Sequence, residues 1–348
     1  MPTISKEKGE GRNMQVAVIG AGSWGTAVAE LVAAKQPVML WARRPELAAA
    51  INDTQENPDY LPGHALSPQI TATSDLNAAL ANVDGVVMGV PSHGFRSVLD
   101  MVRDQIDPGT PILSLAKGVE RETLMRMTEV AVDALPDHRH DRIGVLTGPN
   151  LAKEIAAGQP AATVIAMKDS ESADALQQVF INPRFRVYTN DDVIGSEAAG
   201  ALKNVMAIAA GMAHGLGFGD NTMATLITRA LAELTRLGVA MGGRPLTFAG
   251  LAGMGDLIAT CMSSQSRNHT VGYGLGKGKK LDEIIDEMNQ VAEGVKSTPG
   301  ILALADRHGI EMPIATQVAR VLYKGASPAE AVSSLMAREA KPEMHGIA

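Results

Sequence analysis

Short β-rich runs alternate with helical stretches up to about residue 190, and then the strands stop. Residues 15–19, 37–41, 84–90, 111–115, 142–146, 161–166 and 184–188 read as strands. Helical runs follow the first four of them, including one over 24–35 and one opened by Arg44 and Pro45. Strands alternating with helices imply βαβ units and a mostly parallel sheet. Near-continuous apolar runs such as GVVMGV at 85–90 suit strands covered on both faces. From Ser196 to Arg338 the pattern is helical throughout, with runs over 196–217, 221–241, 254–262, 268–275, 281–289, 295–308, 313–323 and 328–337. The pattern predicts a polar tail over 1–13, an α/β domain over 14–195 and an all-α domain over 196–348.

Composition narrows what such a chain does. Apolar residues make up 45% and charged residues 20% of the 348, as in a globular protein and unlike a disordered one. The net charge of −7 argues against nonspecific binding to nucleic acid or to an anionic membrane. Aromatics at 3% leave few platforms for stacking bases. One cysteine, Cys261, allows no intrachain disulfide and no cysteine-based zinc site, and the histidines show no metal-ligand spacing, so no metal site is expected. Residues 1–13 lack a signal peptide's apolar segment, and the most membrane-like stretch, 198–217, carries Lys203, Asn204 and His214. A cytoplasmic protein without stable membrane insertion is expected.

The first strand runs into Gly20-Ala21-Gly22-Ser23-Trp24-Gly25, which opens a helix. In this strand–turn–helix setting the glycines fit a dinucleotide fingerprint, so the first domain is expected to be Rossmann-type. Gly20 permits the tight turn, Gly22 lets a pyrophosphate approach the backbone, and Gly25 lets helix and strand pack. The second strand ends in Trp41-Ala42-Arg43-Arg44, without the acid that reads an NAD ribose. Two guanidiniums there suit a 2′-phosphate and predict NADP in preference to NAD, unless they are only solvated charges.

Other polar residues lie at further strand ends and on the helices. Lys117 follows the strand at 111–115, where ligands of open parallel sheets bind; it either holds an anion or is a surface lysine. Ser92 and His93 fit a helix cap and are kept out of the catalytic set. Lys203 sits among Gly and Ala; burial would lower its pKa into general acid–base range, whereas snorkelling would leave it solvated. Asp256 and Thr260 share one helix face. Asp256 could accept from a substrate hydroxyl, fix the Lys203 amine or merely cap its helix. Ser266-Arg267-Asn268 at a helix start combine free N–H groups, a guanidinium and an amide, the makings of a phosphate site or of an ordinary cap.

Taken together these segments resemble the bacterial NAD(P)-dependent glycerol-3-phosphate dehydrogenases. The resemblance is carried by GAGSWGTA at 20–27, WARR at 41–44, AKGVE at 116–120, TGPNLAKE at 147–154, GALKNVMAIAAG at 200–211, GMGDLIATC at 253–261, SRN at 266–268 and VAEGV at 291–295. It implies reduction of dihydroxyacetone phosphate to sn-glycerol 3-phosphate for glycerophospholipid synthesis, by a homodimer. It also implies cofactor contacts from Ser23, Trp24, Arg43, Lys117, Ala152, Arg267, Val291 and Glu293. Substrate contacts are implied for Lys117, Gly148, Asn150, Lys203, Asp256, Ser266, Arg267 and Asn268, with Lys203 moving the proton. Asn150 stands where Ser is common in that family. The alternative enzymatic reading is a β-hydroxyacid or 6-phosphogluconate-type dehydrogenase, and an NADPH-binding regulator without activity is the rival of another class.

Overall fold

The computed structural model describes residues 14–288 and 292–343. The expected tail over 1–13 and Val291 lie outside the described residues. Among the described residues ten strands are present: β1 Val16–Ile19, β2 Val38–Trp41, β3 Glu56–Asn57, β4 Leu61–Ala65, β5 Ile70–Thr73, β6 Gly85–Met88, β7 Ile112–Ser114, β8 Ile143–Thr147, β9 Ala161–Ala166 and β10 Phe185–Asn190. Eight of them form one sheet in the order β10-β9-β8-β7-β6-β1-β2-β5, and β3 and β4 pair separately. The chain runs outward from β1 through β2 to β5, then crosses back to place β6 on the other side of β1. That reversal opens a crevice beyond the carboxyl ends of β1 and β6, the usual ligand position in such sheets.

Apolar side chains cover both faces of the sheet. Val16, Val18 and Leu40 pack with Val28 and Val32 of the helix Ser23–Ala33 and with Leu176 of the helix Ser170–Phe180. Ala17, Ile19 and Met88 pack on the opposite face with Phe95 and Leu99 of the helix Ser92–Val102 and with Val130 of the helix Met127–Ala134. Strands buried on both faces explain the continuous apolar runs.

Three local features depart from the sequence expectation. The strands β3, β4 and β5 were not anticipated; LPGHA and ITAT are short and carry Pro, Gly or Thr in place of an apolar run. The pair β8–β9 is antiparallel. The connection between them holds only the five-residue helix Ala152–Ala156, too little for a crossover that would restore the parallel direction. The helix expected over 254–262 begins at Asp256 and runs to Met262, preceded by a short helix Pro245–Phe248 and a π-turn Leu251–Gly255 that the sequence did not suggest.

After β10 the described chain is helical. The helix Val193–Gly215 is its axis, with every residue buried except Ile194 and His214. The helices Asp220–Ala240, Arg267–Gly276, Glu293–Arg307 and Pro313–Lys324 surround it and contribute to a second core. The helix Arg267–Gly276 comes closest. A Cβ on Gly211 would meet the His269 carbonyl at 2.1 Å, and one on Gly272 would meet that of Ile208 at 2.0 Å. Glycine at both positions therefore brings the two backbones into contact, which fixes Arg267 and Asn268 relative to Lys203.

Candidate active site

The glycine turn follows β1. Gly20 has φ of +124°, and a Cβ there would lie 2.7 Å from the Gly89 backbone. Its N–H donates to the Trp41 carbonyl at 3.0 Å, tying the turn to the end of β2. Gly22 differs: a Cβ there would meet nothing within 4 Å. It is also the N-cap of the helix Ser23–Ala33, which has no side-chain cap and no acid in its first turn. An uncapped helix N-terminus facing open space fits a pyrophosphate. Buried Asn57 braces the loop, donating to the Ala21 carbonyl at 2.9 Å and to Thr26 Oγ1 at 2.8 Å. Ser23 Oγ donates to the Tyr60 carbonyl at 2.6 Å. Trp24 Nε1 is buried without a hydrogen-bond partner, a donor left available.

The two arginines beyond β2 separate. Arg44 turns into an ion pair with Asp59. Arg43 is exposed and makes no side-chain hydrogen bond or ion pair among the described residues.

Deeper in the crevice, two lysines share one carboxylate. Lys203 is 5% exposed and Asp256 is 2% exposed. Lys203 Nζ lies 2.9 Å from Asp256 Oδ1, and Lys117 Nζ lies 2.7 Å from Oδ2. Burial brings Lys203 down to about 8; the Asp256 charge opposes that shift and the Lys117 charge adds to it. Lys203 is therefore buried and does not snorkel, and Asp256 fixes both amines. Thr260, one turn beyond Asp256, accepts from Lys203 Nζ. Its hydroxyl lies 2.6 Å from the Asp256 carbonyl.

Lys117 is held from several directions. Its ammonium donates to the Gly148 carbonyl at 3.2 Å. Its own carbonyl accepts from Asn204 Nδ2 at 3.1 Å, so the chain neighbour of Lys203 reaches the Lys117 segment.

The helix Arg267–Gly276 closes the crevice. Ser266 caps it by accepting from the His269 N–H at 3.3 Å. Buried Asn268 accepts from the Gly294 N–H at 2.8 Å, joining this helix to the start of Glu293–Arg307. Arg267 is exposed, and its positive charge reaches Glu293. Burial nevertheless leaves the Glu293 carboxyl above its ordinary value. Ser92 Oγ donates to Glu293 Oε1 at 3.3 Å, so a residue read as a helix cap also links the sheet edge to the helical half.

The crevice thus brings together Lys117, Gly148, Lys203 and Asp256, with Ser266, Asn268 and Glu293 along its helical wall. Ala152 opens the short helix after β8. Asn150 turns aside: its amide donates to Thr163 Oγ1 at 2.9 Å, while its Oδ1 is buried without a partner. Asn204 and Asn57 were missed as site-building residues, Thr260 was noted only for sharing a face with Asp256, and Ser92 was set aside as a helix cap. Adjacency to Lys203 was the available signal for Asn204, and the four-residue spacing from Asp256 was the signal for Thr260. Nothing in the local pattern marked Asn57.

Residues 15–173 match the family model described as the N-terminus of NAD-dependent glycerol-3-phosphate dehydrogenase, and residues 192–333 match that of its C-terminus. A Sphingopyxis alaskensis protein named glycerol-3-phosphate dehydrogenase (NAD(P)+) 2 is 54% identical, covering 95% of this chain and 99% of its own. A Thermobifida fusca protein named glycerol-3-phosphate dehydrogenase (NAD(P)+) is 53% identical, covering 96% and 99%. The crystal structure of glycerol-3-phosphate dehydrogenase from Coxiella burnetii superposes with a TM-score of 0.89 at 38% identity, covering 94% of this chain and 99% of the other.

Proposed function

Because this chain belongs to the NAD-dependent glycerol-3-phosphate dehydrogenase family, we propose that it reduces dihydroxyacetone phosphate to sn-glycerol 3-phosphate with NADPH or NADH. The observation that carries the mechanism is the buried Lys203–Asp256–Lys117 constellation. The proposed division of labour makes residues 14–195 the main nucleotide-binding domain and 196–348 the main substrate-binding domain, each contributing some residues to the other's ligand. The Gly20–Gly25 turn, Ser23, Trp24, Arg43, Ala152, Val291 and Glu293 would hold the nucleotide, whose nicotinamide supplies the hydride when bound.

This chain's residues manage the substrate's charge and the proton. Arg267, Asn268 and the backbone of the capped helix bind the phosphate, and that remote binding energy orients the ketone. Two ammoniums around one carboxylate leave a net charge of +1. A developing alkoxide completes that balance, so it is stabilised relative to the neutral ketone. Lys203, with its value near 8, is mostly protonated at neutral pH and donates a proton to the carbonyl oxygen. Asp256 and Thr260 aim its ammonium, and Lys117 adds the second positive charge.

In the cell this activity would supply the glycerol phosphate backbone of phospholipids from a cytoplasmic homodimer. The test is NADPH oxidation by the purified chain with dihydroxyacetone phosphate, against a panel of β-keto acids and against no substrate. The expected result is turnover with dihydroxyacetone phosphate alone. Preference for a β-keto acid would move the enzyme to the β-hydroxyacid class, and nucleotide binding without any turnover would favour a regulator.

A further inference from the structure

Cations at the sheet's carboxyl edge remain that the proton chemistry does not use. The helix Ser92–Val102 begins just beyond β6, and the helix Glu293–Arg307 begins beside it, joined by the bond from Ser92 to Glu293. His93 follows Ser92. Lys296 lies three residues beyond Glu293, so it projects from the same side of its helix. Burial pushes the His93 imidazole below its ordinary value, and the positive charges of Lys296 and Arg43 push it further. Lys296 stands one turn into the helix joined to Ser92, Arg43 stands just past the end of β2, and the charges of both are felt at His93.

Their partners make the cluster informative. Lys296 and Arg43 are exposed, and neither has a side-chain hydrogen bond or ion pair among the described residues. The nearby Glu293 carboxyl is engaged by Ser92. In contrast, Arg44 is already neutralised by Asp59. The strand β1, which carries the nucleotide turn, lies between β2 and β6. A dinucleotide on that turn presents its adenosine ribose beyond the end of β2. Two exposed positive charges beside an imidazole gain little from a ribose hydroxyl and much from a phosphate dianion.

We propose that Lys296 and His93 complete, with Arg43, a subsite for the ribose 2′-phosphate, the helical half supplying Lys296 from across the crevice. The proposal rests on the nucleotide reading above and adds specificity residues to it. It makes NADP selectivity a property shared between both halves of the molecule.

The test is calorimetric titration of the full chain, without substrate, with adenosine 2′,5′-bisphosphate, 5′-AMP, NADPH and NADH. Lys296→Ala should weaken adenosine 2′,5′-bisphosphate and NADPH by about tenfold or more, the scale of a lost charged hydrogen bond. It should leave 5′-AMP and NADH nearly unchanged, and Lys296→Arg should restore most of the loss. His93→Ala should lower the same two ligands, by less. Equal weakening of NADPH and NADH would overturn the proposal by placing Lys296 on a phosphate common to both, as would no weakening at all. Failure of the unmodified chain to bind either dinucleotide would overturn the dehydrogenase reading and the subsite together.

Discussion

Lys203 has almost no contact with water, so its proton affinity is set by neighbours and not by solvent. Burial brings it to about 8, and Asp256 keeps it from falling further. The sign of the resulting pH dependence follows. Ketone reduction needs the ammonium, so its rate should fall as pH rises through about 8; oxidation of the alcohol needs the free amine and should rise over the same interval. Asp256→Asn removes the charge that opposes deprotonation. The reduction limb should then move to lower pH, with kcat down about tenfold or more; profiles that superpose would exclude Asp256 from this role. Arg267→Ala is expected mainly to raise KM for the phosphorylated ketone, and steady-state kinetics with an unchanged KM would remove Arg267 from phosphate binding. At this scale much was legible. Lys203, Lys117 and Asp256 stand out because charges are unexpected in glycine- and alanine-rich surroundings or at strand ends. That one carboxylate serves both lysines was not legible, since it depends on residues 139 positions apart in the chain.

Among the elements, the contact of Val193–Gly215 with Arg267–Gly276 decides whether the proposed phosphate-binding end and the proposed proton donor share one frame. Gly211→Val would drive a side chain into the His269 carbonyl, already only 2.1 Å from an ideal Cβ. A loss of roughly 1–3 kcal/mol in denaturant unfolding is expected, as for overpacking a close-packed site; unchanged stability would mean that the contact yields freely. Glu233 offers a second test. From the helix Asp220–Ala240 it accepts from the Ile314 N–H at 2.8 Å, at the start of Pro313–Lys324, yet burial raises its carboxyl to about 7. The unfolded chain ionises this group near 4.5 and the folded one near 7, so the folded state binds more protons between those values. Stability from this group is therefore lost as pH rises across that window. Glu233→Gln keeps an oxygen for the N–H and should gain stability relative to the parent from pH 5 to pH 8, read as a growing Tm difference; a constant difference would contradict the assignment. The helices themselves were readable because their apolar positions recur at helical spacing. β5 was not: its Ile-Thr-Ala-Thr run acquires strand character only by lying beside β2.

The molecule as a whole reconciles an acidic chain with two phosphorylated ligands. A net charge of −7 says nothing about where the cations lie: the fold sets Lys117 and Lys203 around Asp256, with Arg43 just past the end of β2 and Arg267 at the start of the helix Arg267–Gly276. The alternation of strands and helices, ending near residue 190, was enough to read an α/β layer followed by a helical one. What it could not supply was the meeting of the two, which runs through Ser92–Glu293, Lys117–Asn204 and Lys117–Asp256. The central claim is that the helical half delivers the proton to a ketone held beside a nucleotide on the sheet. Its most direct test is Lys203→Ala, assayed for turnover and, by titration, for NADPH binding. The account predicts kcat lower by about 10²-fold or more, the usual scale for a general acid, with NADPH still bound. Near-normal turnover in that variant would contradict it.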